Sequence, residues 1–409
     1  MEPVTHFLTG ACLGRAGFNR KAAYATLAMT LAAEMPDLDT LWGLRGPVAG
    51  FEHHRGITHT FLGLPFEGAV VVGAIWLVHR WRLRRAAEKA SETDAARGAV
   101  VSQTSEATDV HLTRPLTAAP VRWGLLYAFV LIALLSHLLL DWTNNYGLRP
   151  FFPFDTHWYA GSFVFIFDPV MFAALLVGLM APALFGLIAG EVGARKPAFR
   201  GRGWAIFALS VVVVLWGVRW FEHDAAVDLA SNASYGPVSV PSAAGEGGSS
   251  SPARGAASAA SSASGEILRV TADPYPGNPF EWQTVVETPA FYQVAIVDTL
   301  KGTVETDPGR DLFYKPAATP ATRAAKRSWL GEVYLDWSSW PVVADTGPTA
   351  AIDSAPGTPD WRAVSFRDLR FFYDTALLKG RSDPPLSGMV YVDAEGNVVR
   401  MEMDGRVQR

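Results

Sequence analysis

The first half of the chain consists largely of apolar segments separated by short polar stretches. Four apolar segments are 16 to 22 residues long, at Thr60–Val78, Trp123–Leu140, Pro169–Gly190 and Gly203–Val218, and two shorter ones lie at Val4–Gly17 and Ala22–Met35. A membrane-spanning helix needs about 20 mostly apolar residues. Residues 1–222 therefore predict an all-α polytopic membrane bundle of about four to six hydrophobic helices. The pattern leaves open whether the first two helices cross the membrane completely.

The second half of the chain has a different composition. From residue 230 to residue 265 it is almost wholly Ala, Ser, Gly and Pro. Such a composition buries too little apolar surface to fold, so we expect a flexible linker over residues 223–265. Beyond it, Phe291–Val297 reads as a half-buried strand and Tyr391–Val399 as a strand, a glycine turn and a strand. We expect a smaller β-rich α+β domain at residues 266–409.

The distribution of Lys and Arg predicts the orientation in the membrane. The connections at residues 15–21, 80–122 and 195–202 carry 15 Lys and Arg residues, whereas residues 36–59 and 141–162 carry three. The positive-inside rule places the first set in the cytoplasm. We therefore expect a multi-pass protein of the bacterial inner membrane, with a cytoplasmic loop at 80–122 and an extracytoplasmic C-terminal domain.

The overall composition limits the chemistry that is available. The chain has 409 residues, of which 18% are charged, and a net charge of −4. This charge gives no reason to expect nucleic-acid binding through a basic face, so we expect no nucleic-acid partner. Cys12 is the only cysteine of the sequence, which excludes an intrachain disulfide and a cysteine zinc site. A metal site would have to use His, Asp and Glu.

Histidines and aspartates recur at the predicted outer ends of the hydrophobic segments. Three separate positions in the predicted topology bring these groups to one membrane face. The Lys and Arg count played no part in choosing them, so the coincidence is independent support for a site. The residues are His6, Asp37, Asp39, His53, His54, His59, His137 and Asp141.

Their spacing favours a metal site. His137 and Asp141 are four residues apart on a predicted helix, which places both on one face. Glu67 follows His59 by eight residues, about two turns, and a carboxylate inside a span is by default functional or paired. Imidazole and carboxylate together suit zinc, manganese or iron, and the acidic surplus is enough for one or two ions. The spacing does not exclude that Asp37 or Asp39 only caps a helix.

The combination of motifs resembles the YdjM/YbcI-type family of bacterial membrane-bound metal-dependent hydrolases. The shared elements lie within roughly residues 1–190. They are Thr5-His6, Pro36–Asp39, His54–His59, His137–Asp141, Tyr146-Gly147, Pro153-Phe154 and Ile166–Pro169. The 80–122 loop and the Ala/Ser-rich linker have no counterpart in that pattern.

The resemblance implies a ligand set and a cofactor. It favours His54 over His53, between which the residues alone do not choose. Zinc is the preferred ion, with manganese and iron as alternatives. The implied metal ligands are His6, Asp37, Asp39, His54, His59, His137 and Asp141.

Two functional hypotheses follow. The first is a metal-dependent hydrolase in which activated water attacks an ester or phosphoester, Arg55 holds an anionic group and Thr58 donates a hydrogen bond. Asp39 or Glu67 would be the base or a supporting residue, and a site at the membrane face favours a lipid or lipid-linked substrate. The second is a metal-stabilised scaffold or an ion-binding transporter, in which the outer domain binds an unidentified protein partner.

Overall fold

A computed structural model describes most of the chain. It covers residues 1–98, 119–191, 201–236, 266–307, 311–349, 361–373 and 383–408. Residues 99–118 of the expected cytoplasmic loop and residues 237–265 of the expected linker lie outside these ranges.

The N-terminal half is helical in all of its regular described elements. Three short 3-10 segments interrupt the α-helices at Phe18–Arg20, Pro36–Arg45 and Ile57–His59. The α-helices are α1 Pro3–Arg15, α2 Ala25–Glu34, α3 Pro47–His53, α4 Leu64–Gly98, α5 Trp123–Thr143, α6 Pro169–Glu191 and α7 Arg202–Asn232.

Apolar helices of this half confirm the membrane part of the predicted fold class. Within the described residues, α5 and α7 are long and apolar enough to cross a membrane by length and composition. A third span would be formed by Pro47–His59 and Leu64–Ser91, which are bent by 84° relative to each other. Residues Pro169–Phe185 of α6 form a shorter apolar helix. The helices α1 and α2, with 13 and 10 residues, are shorter still.

Close backbone packing joins α1 to α2. A Cβ added at Gly10 would lie 2.5 Å from the carbonyl oxygen of Met29, and one added at Gly14 would lie 2.5 Å from the Cα of Thr26. The absence of a side chain at these two positions, one turn apart, therefore lets the helices touch. This contact holds α2 against the helix that carries His6.

A buried ion pair joins the start of α6 to α7. The Oδ1 atom of Asp168 accepts hydrogen bonds from the backbone N–H groups of Val170 and Met171, which caps the helix. Its Oδ2 atom accepts a hydrogen bond from Nη2 of Arg219 at 2.6 Å. Both side chains are fully buried. The helix α7 continues beyond residue 222 to Asn232, because Ala226 and Ala230 pack into the core that it shares with the C-terminal domain.

The C-terminal domain is built on antiparallel sheets, which confirms the β-rich part of the predicted fold class. The strands are β1 Arg269–Pro274, β2 Glu281–Glu287, β3 Phe291–Asp298, β4 Thr303–Glu305, β5 Leu312–Tyr314, β6 Pro341–Pro348, β7 Arg362–Asp368, β8 Gly388–Val392, β9 Val398–Met403 and β10 Arg406–Val407. In the described residues, one sheet has the order β1-β2-β3-β4 with β5 paired to β3, and the other has the order β10-β9-β8-β7-β6. The helices α8 Pro320–Lys326 and α9 Trp329–Trp337 lie between the two sheets in sequence.

The C-terminal domain is docked on the loop that follows α5. Nη1 of Arg370 donates to the carbonyl oxygen of Asn145 at 2.5 Å, and Nε1 of Trp337 donates to the carbonyl oxygen of Tyr146 at 3.1 Å. The side chain of Gln408 accepts from the backbone N–H of Val48 and donates to the carbonyl oxygen of Arg45. These contacts fix the position of the loop and of α3 relative to the C-terminal domain.

Candidate metal centre

Four side chains from three segments converge inside the helical half. Asp37 comes from the 3-10 segment Pro36–Arg45, His59 from the 3-10 segment before α4, and His137 and Asp141 from α5. Each offers a ligand atom, and the four atoms all lie within 4.8 Å of one another. His59, His137 and Asp141 are fully buried. The helical spacing of His137 and Asp141 brings them together as expected.

The distances within this cluster suit a single divalent ion. The Nε2 atoms of His59 and His137 are 3.1 Å apart, and they lie 3.3 Å and 3.4 Å from Oδ2 of Asp141. Oδ1 of Asp37 lies 3.4 Å from Nε2 of His59 and 3.7 Å from Nε2 of His137. Ligands about 2.1 Å from a tetrahedral zinc ion are about 3.4 Å from each other. Oδ2 of Asp141 is buried without a hydrogen bond of good geometry to the described residues, as a ligand oxygen would be.

Both imidazoles of the cluster are oriented through their other ring nitrogen. Nδ1 of His137 lies 2.7 Å from the carbonyl oxygen of Ala33, and Nδ1 of His59 lies 3.2 Å from Oδ2 of Asp39. A proton on each Nδ1 would leave both Nε2 lone pairs for an ion. Such outer contacts to a carbonyl or carboxylate accompany almost all metal-binding histidines. The donor set and its supports therefore fit a metal site.

The carboxylate of Asp39 is occupied by groups around the cluster. It accepts a hydrogen bond from the backbone N–H of Arg55 at 2.7 Å and lies 3.2 Å from Nδ1 of His54. Burial opposes ionisation of Asp39, but the hydrogen bonds with His54 and His59 hold its pKa well below its usual range. Asp39 and His54 therefore lie next to the cluster, and their side chains are not among the four converging ligand atoms.

His6 lies beside the cluster on the other side. Its ring stacks on that of His137 with centroids 3.7 Å apart, and its Nε2 lies 3.3 Å from Oδ1 of Asp141. The amino group of Met1 also contacts Oδ1 of Asp141. Neither ring nitrogen of His6, which is fully buried, forms a hydrogen bond of good geometry within the described residues. This position would suit a further ligand of the same ion or a ligand of a second one.

Arg55 holds Asp141 and the loop after α5. Its Nη2 donates to Oδ1 of Asp141 at 2.7 Å, and its Nη1 donates to the carbonyl oxygen of Gly147 at 2.7 Å and to Oδ1 of Asn144 at 3.2 Å. The guanidinium also packs over the ring of Tyr146 at 4.8 Å. Arg55 has a φ of 54°, in the left-handed region that is rare outside glycine. The strained backbone of Arg55 therefore lies where this residue contacts the cluster.

The remaining sequence candidates have distinct places. The hydroxyl of Thr58 lies 3.1 Å from Nδ1 of His59 and donates to Oδ2 of Asp39 at 3.4 Å. Glu67 is buried, and neither of its carboxylate oxygens has a hydrogen-bond partner in the described part of the chain. His53 instead stacks on Trp42 with ring centroids 4.0 Å apart. Of the two neighbouring histidines, His54 is therefore the one that faces the centre.

Several groups that support the centre escaped the sequence analysis. The Ala33 carbonyl and the Asn144 side chain carry no sequence signal, because their roles depend on how distant segments meet. Gly10 and Gly14, in contrast, form the small-residue spacing that is typical of close helix packing in membranes. That spacing could have predicted the contact that positions α2.

Comparison with known proteins identifies the family. The family model of the YdjM inner membrane protein matches residues 1–226, which is more than half of the chain. The chain belongs to the YdjM inner membrane protein family, as the sequence resemblance predicted. It is therefore an inner-membrane protein with a helical membrane half and a β-rich domain, and it carries a His/Asp cluster able to hold a metal ion.

One curated relative is similar over part of its length. It is the uncharacterized protein YfhP of Bacillus subtilis, which is 23% identical over 187 residues. The alignment covers 44% of this chain and 45% of that protein, so the chain spans less than half of the length of the relative it matches. No solved structure matches the chain.

Proposed function

We propose that the protein is a metal-dependent hydrolase of the bacterial inner membrane that cleaves an ester or phosphoester. The observation that carries the proposal is the convergence of two Nε2 atoms and two carboxylates at 3.1–3.7 Å. Two imidazole Nε2 atoms facing each other at this distance are not needed for a structural ion pair, but they are expected of two ligands of one metal ion. Zinc is the preferred ion for this donor set, with manganese or iron as alternatives.

Asp37, His59, His137 and Asp141 would hold the ion. When bound, it would polarise the substrate and lower the pKa of a water molecule toward neutrality. Asp39 orients His59, and Thr58 supports the same imidazole. Glu67, which is buried without a hydrogen-bond partner in the described residues and interacts electrostatically with His59, is our candidate to accept a proton from the attacking water. His6 would join as an additional ligand or hold a second ion.

The placement of the centre at the extracytoplasmic face is part of the proposal. Its support is the excess of Lys and Arg in the opposite set of connections. In that orientation the multi-pass membrane half carries an extracytoplasmic C-terminal domain. A substrate would then reach the centre laterally from the membrane, which favours a lipid or lipid-linked ester or phosphoester.

The second candidate is a metal-stabilised scaffold with a partner-binding outer domain. The observation that favours it is the use of Arg55, whose hydrogen bonds join Asp141 to the loop after α5. An ion-binding transporter would need a polar path toward the cytoplasm. It is less well supported, because the segments Trp123–Leu140 and Pro169–Gly190 are apolar toward their inner ends.

Metal content and hydrolysis, measured together on purified full-length protein, test the proposal. We expect about one equivalent of zinc in the wild type and activity against a panel of phosphoesters and carboxylic esters that includes lipids. His59→Ala should lose most of the metal and the activity, because it removes a ligand from a buried site. His157→Ala is the matched control, since His157 is exposed in the loop after α5 and outside the cluster.

Full metal content in His59→Ala would contradict the ligand assignment. A zinc-loaded wild type without activity on the whole panel would favour the scaffold.

A further inference from the structure

A cavity of about 750 Å³ lies between the membrane half and the C-terminal domain. Its volume falls in the range of roughly 300–1,000 Å³ that is typical of sites for small organic molecules. One side is formed by α3, the loop after α5 and the segment before α6. The other side is formed by the C-terminal domain, including Phe371, Leu386 and Met403.

The walls of this cavity are mostly apolar, but part of its lining belongs to the candidate metal centre. Phe51 and Phe167 from the membrane half face the same space as the apolar residues of the C-terminal domain. His54 and Arg55 also line it, and both contact Asp39, while Arg55 contacts Asp141. A molecule in the cavity would therefore have apolar surroundings along its length and a polar contact to His54 next to the centre.

A row of exposed leucines flanks the cavity. Leu38, Leu41 and Leu44 are 52%, 61% and 87% exposed, and they are spaced by three residues along the 3-10 segment Pro36–Arg45. A 3-10 helix has three residues per turn, so the three side chains form one apolar row. Thr40 and Gly43 of the same segment line the cavity. An exposed apolar row of this kind is typical of a surface that enters the membrane interface.

The cavity also adjoins the beginning of a membrane helix. Ile166 and Phe167 line it and are exposed, and Pro169, the first residue of α6, lines it as well. The apolar surface of α6 therefore continues into the cavity wall. A hydrocarbon chain that lies along the start of α6 would therefore meet apolar side chains up to the cavity.

We propose that this cavity binds the hydrocarbon chain of an anionic lipid, whose head group lies beside His54, next to the candidate metal centre. The lining offers an anionic head the partly exposed side chain of His54 and the exposed Arg406, with Asp404 as an exposed carboxylate, whereas the guanidinium of Arg55 is paired with Asp141. The C-terminal domain forms one wall of the cavity and so takes part in selecting the hydrocarbon chain of the lipid. If the bound lipid is the substrate of the proposed hydrolase, the proposal also names the substrate class, and in that respect it rests on the proposed function. An apolar peptide segment of another protein is the competing occupant.

A tryptophan at Gly43 tests the cavity with little risk to the fold. Gly43 lines the cavity, and a Cβ added there would meet no atom within 4 Å. Gly73 on α4 has the same open surroundings but lies outside the cavity lining, so Gly73→Trp is the matched control. Leu386→Glu, which places a charge on the C-terminal wall, is a second variant. Its control is Leu300→Glu, at an exposed turn of the same domain.

Binding is measured with fluorescent dioleoyl phosphatidic acid in detergent micelles containing the purified full-length protein. We expect Gly43→Trp and Leu386→Glu to weaken binding at least tenfold, and both controls to bind as the wild type does. Unlabelled phosphatidic acid should compete better than dioleoylglycerol, and glycerol 3-phosphate should not compete. Equal binding by all variants, or equal competition by glycerol 3-phosphate, would overturn the proposal. Absence of lipid binding in the wild type would also overturn it and favour the peptide.

The same samples separate this inference from the proposed hydrolase. Metal content should be equal in the wild type, Gly43→Trp and Gly73→Trp, because none of these changes touches a ligand. Lipid binding without hydrolysis would leave the cavity assignment standing and remove the hydrolase. If Gly43→Trp hydrolyses lipid and soluble phosphoesters as the wild type does, the hydrolase stands and the cavity assignment fails.

Discussion

The side chain of Arg55 is committed to contacts within the protein. It is 2% exposed, and its two terminal nitrogens donate to Asp141, Asn144 and Gly147. From the sequence we expected Arg55 to hold an anionic group of the substrate. The pairing partner in the structure is Asp141, a candidate ligand of the metal. This geometry makes Arg55 a positioning residue, which acts on the centre through Asp141.

The substitution Arg55→Lys tests this role. Lysine keeps the charge but lacks the planar fork that reaches three acceptors at once. We expect the metal affinity to fall about 10- to 100-fold, as it does when an outer partner of a ligand is lost. The thermal midpoint should fall as well, since a buried charge network is broken. Arg45→Lys, at an exposed position, should change neither quantity. If Arg55→Lys keeps its metal and its thermal midpoint and loses only activity, the arginine acts on the substrate instead.

At the level of elements, the contact between α1 and α2 determines the position of the centre. Gly10 lies one turn after His6 on α1, and it faces Met29 and Ala33 of α2. The carbonyl of Ala33 orients His137. The packing of two short helices is thereby coupled to the orientation of a candidate ligand on a third.

The substitution Gly10→Leu tests that coupling without changing a ligand. An added Cβ would lie 2.5 Å from the Met29 carbonyl oxygen and 2.7 Å from the Cβ of Ala33, so α2 must move away from α1. We expect a lower thermal midpoint and a loss of most of the bound zinc in elemental analysis, since overpacking of this kind costs about 1–3 kcal/mol or more. Gly217→Leu on α7 is the control, because a Cβ there meets open space. Unchanged metal content in Gly10→Leu would show that the ligands are positioned independently of this helix contact.

The sequence predicted the elements of the site better than their internal arrangement. The four-residue spacing of His137 and Asp141 on a helix correctly indicated that they meet. The two aspartates of Pro36–Asp39 could not be distinguished, because the sequence did not reveal a 3-10 helix there. In that helix, residues two apart point in different directions. Asp37 accordingly faces the imidazoles of His59 and His137, while Asp39 contacts His54 and the backbone of Arg55.

On the scale of the whole molecule, the two halves are joined by specific contacts that composition did not indicate. The separation into an apolar helical half and a β-rich half followed from hydropathy and from the strand patterns. The docking of one on the other did not, because it depends on single groups such as Arg370 and Trp337, which donate to loop carbonyls. Such long-range hydrogen bonds have no periodicity in sequence. The C-terminal domain consequently lies over the loop that Arg55 also contacts.

The orientation of the molecule in the membrane is a prediction that cysteine labelling can test. Cys12 is the only cysteine in the sequence and is fully buried, so the native protein should give little background with a membrane-impermeant maleimide. A cysteine at Leu300→Cys reports the C-terminal domain, where that side chain is 72% exposed. One at Arg84→Cys reports the exposed, arginine-rich stretch of α4 that follows its apolar segment. Both are introduced into the full-length protein.

Labelling of intact spheroplasts should modify Leu300→Cys, because the Lys and Arg distribution predicts that the C-terminal domain lies outside. Arg84→Cys should react only after the membrane is permeabilised, because the positive-inside rule predicts that the arginine cluster of α4 lies in the cytoplasm. The wild type should remain unlabelled in both conditions. Labelling of both variants before permeabilisation would contradict the charge argument. Labelling of Arg84→Cys alone would invert the topology and move the candidate centre to the cytoplasmic face, where only lipids of the inner leaflet could reach the cavity laterally.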